Sequence, residues 1–354
     1  MKPSKIKLVI IMGGKSPEHN ISIESGKNVI ENLDKEKYDI KPLIITKEGK
    51  WVLKDGYNYT LNELEKINPI SPGKGILLLE SAEPDIVFIA LHGPNGEDGT
   101  LQGLFEILGI PYTGAGVCGN SIGIDKIKTH EILSAHKILM PEYIVIKKEE
   151  WQNSPRDVVE QIKRDLGLPC VIKPSNQGSS IGTTVAENED LLENGLEECF
   201  KLSSFALIEK YIQGEEFSCS VLDIPHNGKY VSTALAVTKI VPKKSKFFSF
   251  DVKYEPGATD EITPAPIDKS LETKLKEKAI KVHNILCANP FSRIDFMFDG
   301  EKVYVLEINT IPGMTKQSIF PKACCAYGIE FKRALDIIID YGLKKFRGEK
   351  FTST

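Results

Sequence analysis

Towards its C-terminal end the chain reads Ser292-Arg-Ile-Asp-Phe-Met-Phe298, then Asp299-Gly300, then Val303-Tyr-Val-Leu-Glu-Ile-Asn309. Two apolar runs around an Asp-Gly turn signal predict a β-hairpin. Its alternate residues are polar or charged, and this restricts the fold more than any other stretch. Successive strand side chains point to opposite faces, so Glu307 and Asn309 share one face of their strand, as Arg293 and Asp295 do of theirs. Whether the two sets meet depends on the connection. Directly opposed residues of an antiparallel pair share a face, so a two-residue loop at Asp299-Gly300 would set Asp295 against Tyr304 and leave Glu307 on the far side. An odd-residue connection, such as three residues with Gly300 left-handed, brings Arg293, Asp295 and Glu307 together. That odd connection is the expectation. It would place two carboxylates and an amide oxygen in a hard, oxygen-only site suited to Mg²⁺ bridging nucleotide phosphates, with Arg293 beside it to stabilise negative charge. A solvated face of alternating charge is the plain alternative.

Neighbouring motifs favour the site. Asn309-Thr-Ile-Pro-Gly-Met-Thr315 leaves the strand end and offers backbone N–H groups around Gly313, which suits a carbonyl or phosphate oxygen, although Pro312-Gly313 could equally be a plain turn. Lys173-Pro-Ser-Asn-Gln-Gly-Ser-Ser-Ile-Gly182 sets a lysine at a strand end before a small-residue loop able to approach phosphate. The order differs from the Walker pattern, where the lysine follows the glycines. Leu207-Ile-Glu-Lys-Tyr-Ile212 suits an adenine slot, with Glu209 or a backbone group accepting from the exocyclic amine; a core strand explains its apolar residues as well. Gly13-Gly-Lys-Ser-Pro-Glu18 and His92-Gly-Pro-Asn-Gly-Glu-Asp-Gly99 both follow apolar strands, at the carboxyl edge where open α/β sheets bind ligands. His19, His130, His136, His226 and His283 lack such a context and read as surface or core residues.

Periodicity divides the chain. Strands at Ile6–Met12, Lys41–Ile45 and Asp85–Ala90, with a helix over Ser22–Leu33, predict an open parallel α/β domain over 1–123. A small α+β domain over 124–213 holds a helix at Pro155–Leu166 and strands at Tyr143–Lys147, Cys170–Lys173 and Phe205–Lys210. A C-terminal antiparallel domain over 214–346 holds the hairpin, a loop from Val241 to Pro266 rich in aromatic residues, and a closing helix Phe331–Leu343. Residues 347–354 form a tail. With 354 residues, several cores are affordable, and the net charge of −4 gives no general attraction to nucleic acid. Seven scattered cysteines without a CxxC pair argue against a disulfide framework and a zinc site. No apolar run is long enough to cross a membrane and no cleavable leader is visible, so the expected location is the cytoplasm.

In this order, the motifs resemble the D-alanine:D-alanine ligases of the ATP-grasp superfamily, from about Lys7 to Leu343. The resemblance implies ATP-dependent joining of two D-alanines through D-alanyl phosphate for peptidoglycan precursors, with ATP and two Mg²⁺ ions, for which Mn²⁺ substitutes. It implies that Glu18 holds the first ammonium, that His92 lies near its carboxylate, and that Lys126 and Lys173 bind ATP phosphates. Glu209, Lys210 and Ile212 would line the adenine slot, Glu216 would meet the ribose and Lys253 the γ-phosphate. Asp295, Glu307 and Asn309 would hold the metals. Arg293 and the Gly313 backbone would stabilise the tetrahedral intermediate, and Ser318 with Ile319 would take the second D-alanine. Glu18, Ser179 and Tyr254 would form a hydrogen-bonded set closing the loops, and Tyr254 goes with dipeptide rather than ester formation. Phe250 and Tyr211 stand where many relatives carry tyrosine and tryptophan. D-lactate and D-serine ligases of the same fold, or a non-catalytic ATP-binding protein, are the competing readings. D-alanine and ATP are the expected partners, with a homodimer as an open option.

Overall fold

The computed structural model describes residues 4–242 and 259–348. The first sheet runs in the order β3-β2-β1-β4, from β1 (Ile6–Gly13), β2 (Tyr38–Ile45), β3 (Trp51–Val52) and β4 (Ile86–Ile89). β1 lies parallel to both β2 and β4. Its apolar run Leu8–Met12 is unbroken because both faces are covered. Leu8, Ile10 and Met12 enter one core with Val29 and Phe88, while Val9 and Ile11 enter another with Leu43, Leu101 and Phe105. The first of these cores continues into Phe320, Ala334 and Ile338 of the helices Ile319–Tyr327 and Phe331–Phe346. The chain's last helices thus clamp its first sheet.

The second sheet, in the order β5-β8-β6-β7, comprises β5 (Tyr143–Lys147), β6 (Cys170–Pro174), β7 (Thr184–Ala186) and β8 (Phe205–Lys210), all antiparallel. Cys170, Ile172, Ala206 and Ile208 pack under the helices Pro155–Asp165 and Glu189–Leu202. The alternation then turns Val171, Lys173, Val185 and Glu209 to the other face.

The third sheet, in the order β11-β10-β9-β12-β13, comprises β9 (Glu215–His226), β10 (Lys229–Pro242), β11 (Thr259–Ile262), β12 (Phe291–Phe298) and β13 (Val303–Asn309). Cys219, Ile294, Phe296, Val305 and Ile308 pack against Leu275, Ala279 and Val282 of the helix Lys269–Ile285. Glu216, Ser218, Arg293, Asp295 and Glu307 occupy the opposite face. Part of the stretch expected as a loop is sheet: Val241 and Pro242 pair with Asp260 and Thr259. Phe247, Phe248, Phe250, Lys253 and Tyr254 lie outside the described residues.

The hairpin corrects the expectation of an odd connection. Phe298 pairs with Val303, so the connection is the even run Asp299–Lys302, in which Asp299 Oδ1 accepts the Glu301 and Lys302 amides at 2.9 and 2.6 Å. Gly300 is left-handed, with φ of 100°. The odd residue sits within the strand instead. The register shifts between Asp295 and Phe296, Leu306 is the extra residue, and Asp295 comes directly opposite Glu307. A turn stabilised by the Asp299 carboxylate keeps an even count, so the bulge restores the parity that the shared face requires. Phe296 is fully buried in the core beneath this hairpin. Phe296→Ala should lower stability by about 3–5 kcal/mol, read as a shift of the urea midpoint at unchanged slope.

Candidate active site

The polar faces of the second and third sheets look at each other across a cleft of about 510 Å³. Lys173, Glu209, Lys210, Ile212, Glu216, Asp295 and Glu307 all line it, together with Val171, Val185, Tyr211, Met297 and Leu306. The bulge explains why neighbours Leu306 and Glu307 both reach the cleft. One end is therefore apolar and the other charged.

At the charged end, Lys173 Nζ meets Glu209 Oε2 at 2.5 Å, and the other oxygen of Glu209 meets His130 Nε2 at 2.6 Å. Burial alone would raise the Glu209 carboxyl, but Lys173 and His130 bring it down to about 2. Lys173 loses hydration as well, and Glu209, Glu307 and Glu216 outweigh that loss and raise it. Both oxygens of Glu209 are thus engaged, so its side chain is the lysine's counter-ion. His130 escaped the sequence reading, although it stands four residues after Lys126 and so on the same helix face. The helix Lys126–Ala135 begins at Asp125, whose side chain caps the amides of Ile127 and Lys128. That start directs Lys126 inward, where its Nζ donates to the Gln177 carbonyl at 2.7 Å and lies 3.4 Å from Glu307.

Asp295 is held from three sides. Arg293 grips it with Nε at 2.9 Å and Nη2 at 2.8 Å, Ser218 Oγ donates at 2.6 Å, and Asn309 Nδ2 at 3.2 Å. Ser218 also went unread; its register opposite Asp295 is visible only once β9 is paired. Among the described residues no group of three or more His, Cys, Asp or Glu side chains could hold a metal by itself. Two carboxylates on one face nevertheless fit Mg²⁺, which is commonly held by one or two carboxylates plus substrate phosphates.

The first sheet supplies the third wall. Glu18 is buried and accepts a short hydrogen bond from the Ser179 hydroxyl. Ser179 and Ser180 adopt left-handed φ values of 53° and 58°, a strained pair such as substrate-clamping loops carry. Gly93 must be glycine, since φ is 73° and a Cβ would lie 2.7 Å from Ser16 Oγ. His92 donates from Nδ1 to the Ile311 carbonyl at 3.1 Å, which leaves Nε2 to accept from Ser25 Oγ at 2.9 Å. Burial pushes its pKa down, so the ring is a neutral strut between the first sheet and the loop 309–315. On that loop, a Cβ at Gly313 would lie 2.7 Å from Ser318 Oγ, and Ser318 Oγ in turn accepts the Thr315 amide at 3.1 Å. Ile319 follows as the first residue of its helix and is buried.

Family models described as the N-terminus and the C-terminus of D-ala D-ala ligase match residues 7–115 and 132–340. The chain belongs to the D-alanine–D-alanine ligase family. It is 35% identical to the D-alanine–D-alanine ligase of Ruminiclostridium cellulolyticum, with 99% of each chain covered. Its fold matches the D-alanine-D-alanine ligase of Coxiella burnetii with a TM-score of 0.78 at 26% identity, over 97% of this chain and 96% of that one. It also matches the Bacillus anthracis D-alanine–D-alanine ligase complexed with ATP, with a TM-score of 0.74 at 32% identity, over 98% of this chain and all of that one. The architecture is thus that of the ATP-grasp ligases.

Glu97, on the loop after β4, is buried near Glu18, and its carboxyl is pushed up to about 8, by burial first and then by Glu18. An acid whose folded value lies above its ordinary 4.5 binds more protons folded than unfolded, so its contribution to stability is present below that value and is lost as pH rises towards 8. Glu97→Gln should therefore melt above the parent protein near about pH 9, with the gap closing towards about pH 5. Thermal unfolding at several pH values checks this.

Proposed function

We propose that this ATP-grasp ligase phosphorylates the carboxylate of one D-alanine with ATP and joins the resulting acyl phosphate to a second D-alanine, for peptidoglycan precursor synthesis. The observation that supports it most is the convergence of Lys173, the Asp295–Glu307 pair and Arg293 on facing sheets, with Lys126 reaching Glu307 from its helix and the Glu18–Ser179 contact closing one end. Adenine fits the apolar end between Val171, Val185, Met297 and Leu306. With Glu209 committed to Lys173, the acceptor for its amine falls to backbone near Lys210 and Ile212, and Glu216 meets the ribose. Lys126 and Lys173 hold the phosphates, and Asp295, Glu307 and Asn309 would hold two Mg²⁺. When bound, those ions neutralise phosphate charge.

A carboxylate oxygen of the first D-alanine, whose ammonium sits at Glu18, attacks the γ-phosphorus and ADP leaves. The amine of the second D-alanine, its carboxylate at Ser318 and Ile319, then attacks the acyl carbon. A C–N bond forms, the C–O bond to phosphate breaks, and the departing phosphate takes up the nitrogen's proton. Arg293 and the Gly313 amide face the oxygen that becomes negative. Water must be kept from the acyl phosphate, and the Ser179 loop over Glu18 contributes to that seal. His92 acts by holding the loop 309–315 in place. Residues 124–213 form the lid, 1–123 and 214–346 the two other units, and a soluble substrate set fits the cytoplasm. Among the described residues no helix is long and apolar enough to cross a membrane.

Phosphate release should require D-alanine and Mg²⁺ together. Release that is indifferent to D-alanine would overturn the reading. Glu307→Gln should lower turnover by at least about 100-fold with an unchanged melting temperature. Competition of D-alanine against D-serine and D-lactate, with chromatography of the products, should give chiefly the dipeptide D-alanyl-D-alanine near neutral pH; mainly ester product would show that the role implied for Tyr254 does not hold.

A further inference from the structure

A second hollow, of about 480 Å³, lies at the edge of the third sheet on its helix-covered side. β13 ends that sheet, and the Leu139 carbonyl covers the edge by accepting the Val305 amide at 2.9 Å. The loop 137–139, the tip of the hairpin and the helix Lys269–Ile285 frame the hollow. Each supplies lysine. Lys137 comes from the loop, Lys302 from the hairpin, and Lys274, Lys278 and Lys281 from one face of the helix. Two exposed glutamates, Glu277 and Glu301, also line it, so positive charge predominates in a chain whose net charge is −4. Among the described residues none of these lysines lies at ion-pair distance from a carboxylate, although Glu277 stands four positions before Lys281. The other lysines of the same helix are paired: Glu272 meets Lys269 at 3.1 Å and Lys276 at 2.5 Å.

Like charges gathered without counter-ions repel one another. Lys278 is also half-buried, and burial first, then Lys281, lowers its pKa. Lys137 holds a left-handed φ of 58° just past the helix Lys126–Ala135, where glycine or asparagine is the usual residue. Stability alone would favour glycine there and an uncharged residue at 278. What the arrangement suits is a compact anion that brings several negative charges at once. The volume is that of a small-molecule site, and Leu139, 39% exposed, adds an apolar patch. We propose that this hollow is a second ligand site, which binds a small phosphorylated molecule through a diphosphate group. A bound diphosphate would link the loop 137–139 and the helix Lys269–Ile285 to the hairpin whose second strand carries Glu307. The proposal does not depend on which amino acids the cleft joins.

Inorganic pyrophosphate is the probe, titrated calorimetrically into the full chain at about 0.15 M salt, where diffuse attraction is screened. Lys278→Gln combined with Lys281→Gln should weaken its binding at least about 10-fold, as expected for losing two charge-assisted contacts. Lys269→Gln combined with Lys276→Gln removes the same charge from the same helix outside the hollow and should change binding by less than about twofold. Lys173→Gln, the control for the cleft, should leave a pyrophosphate site in place. Pyrophosphate should also raise the melting temperature of the parent chain and not that of the Lys278→Gln, Lys281→Gln variant. Equal weakening by the two helix pairs would reduce the effect to net charge and overturn the proposal. Complete loss through Lys173→Gln alone would put the pyrophosphate in the cleft, and no binding to the parent chain would leave no site; either result overturns it. Flotation with phosphatidylglycerol vesicles but not with phosphatidylcholine vesicles, abolished in the Lys278→Gln, Lys281→Gln variant and unaccompanied by pyrophosphate binding, would make this face a lipid contact and overturn it too.

Discussion

Burying charge between two sheets is the constraint on which the site depends. Lys173, Glu209 and Asp295 are all nearly inaccessible, and a charge buried so deeply is costly without partners. Each has them. Lys173 and His130 divide the oxygens of Glu209, while Arg293, Ser218 and Asn309 surround Asp295. Apart from Arg293–Asp295, which lies within β12, these contacts cross between strands or between a helix and a strand, so a shift of register would uncover a charge. The arrangement is possible because each sheet hides its apolar face under helices and keeps the polar face for the cleft.

The first sheet and its loops are bound to this centre chiefly by hydrogen bonds. His92 reaches Ile311, Ser25 accepts the Met314 amide at 3.2 Å, and Asn28 Nδ2 donates to the Met314 carbonyl at 2.7 Å. All three tie the N-terminal loops and helix to the turn that leaves β13. The turn that offers the Gly313 amide is therefore positioned from both ends of the chain: by the bulged strand that precedes it and by residues nearly three hundred positions earlier. Neutral contacts suit that task, since they fix distance without adding to the charge of that corner.

Strand and helix identities were legible wherever one period persisted. Tyr143–Lys147 and Phe205–Lys210 have the limits that alternation predicts. The helix Ile319–Tyr327 passed unread because its Phe-Pro start and paired cysteines show little 3.6-residue pattern. The lysines, Arg293 and the carboxylates were legible as chemistry, because motif spacing places them at strand ends. Their partners were not. His130 and Ser218 act through neighbours distant in sequence, 79 residues away for Glu209 and 77 for Asp295, and no local pattern records such a pairing.

The hairpin shows where local reasoning goes astray and why the conclusion survives. The demand that Asp295 and Glu307 share a face is a global one, set by the chemistry of the cleft, and it fixes only the parity of the residues between them. Turn chemistry is local, and Asp299 with left-handed Gly300 satisfies itself with an even connection. Both demands are met by moving the extra residue into the strand. The cost of a bulge is a disrupted ladder, and here that disruption does useful work, because Leu306 turns into the cleft beside Glu307 instead of into the helix-covered core. A residue that on a regular strand would alternate away from its neighbour thus adds an apolar surface next to the carboxylate, which is the juxtaposition a base and its phosphates require.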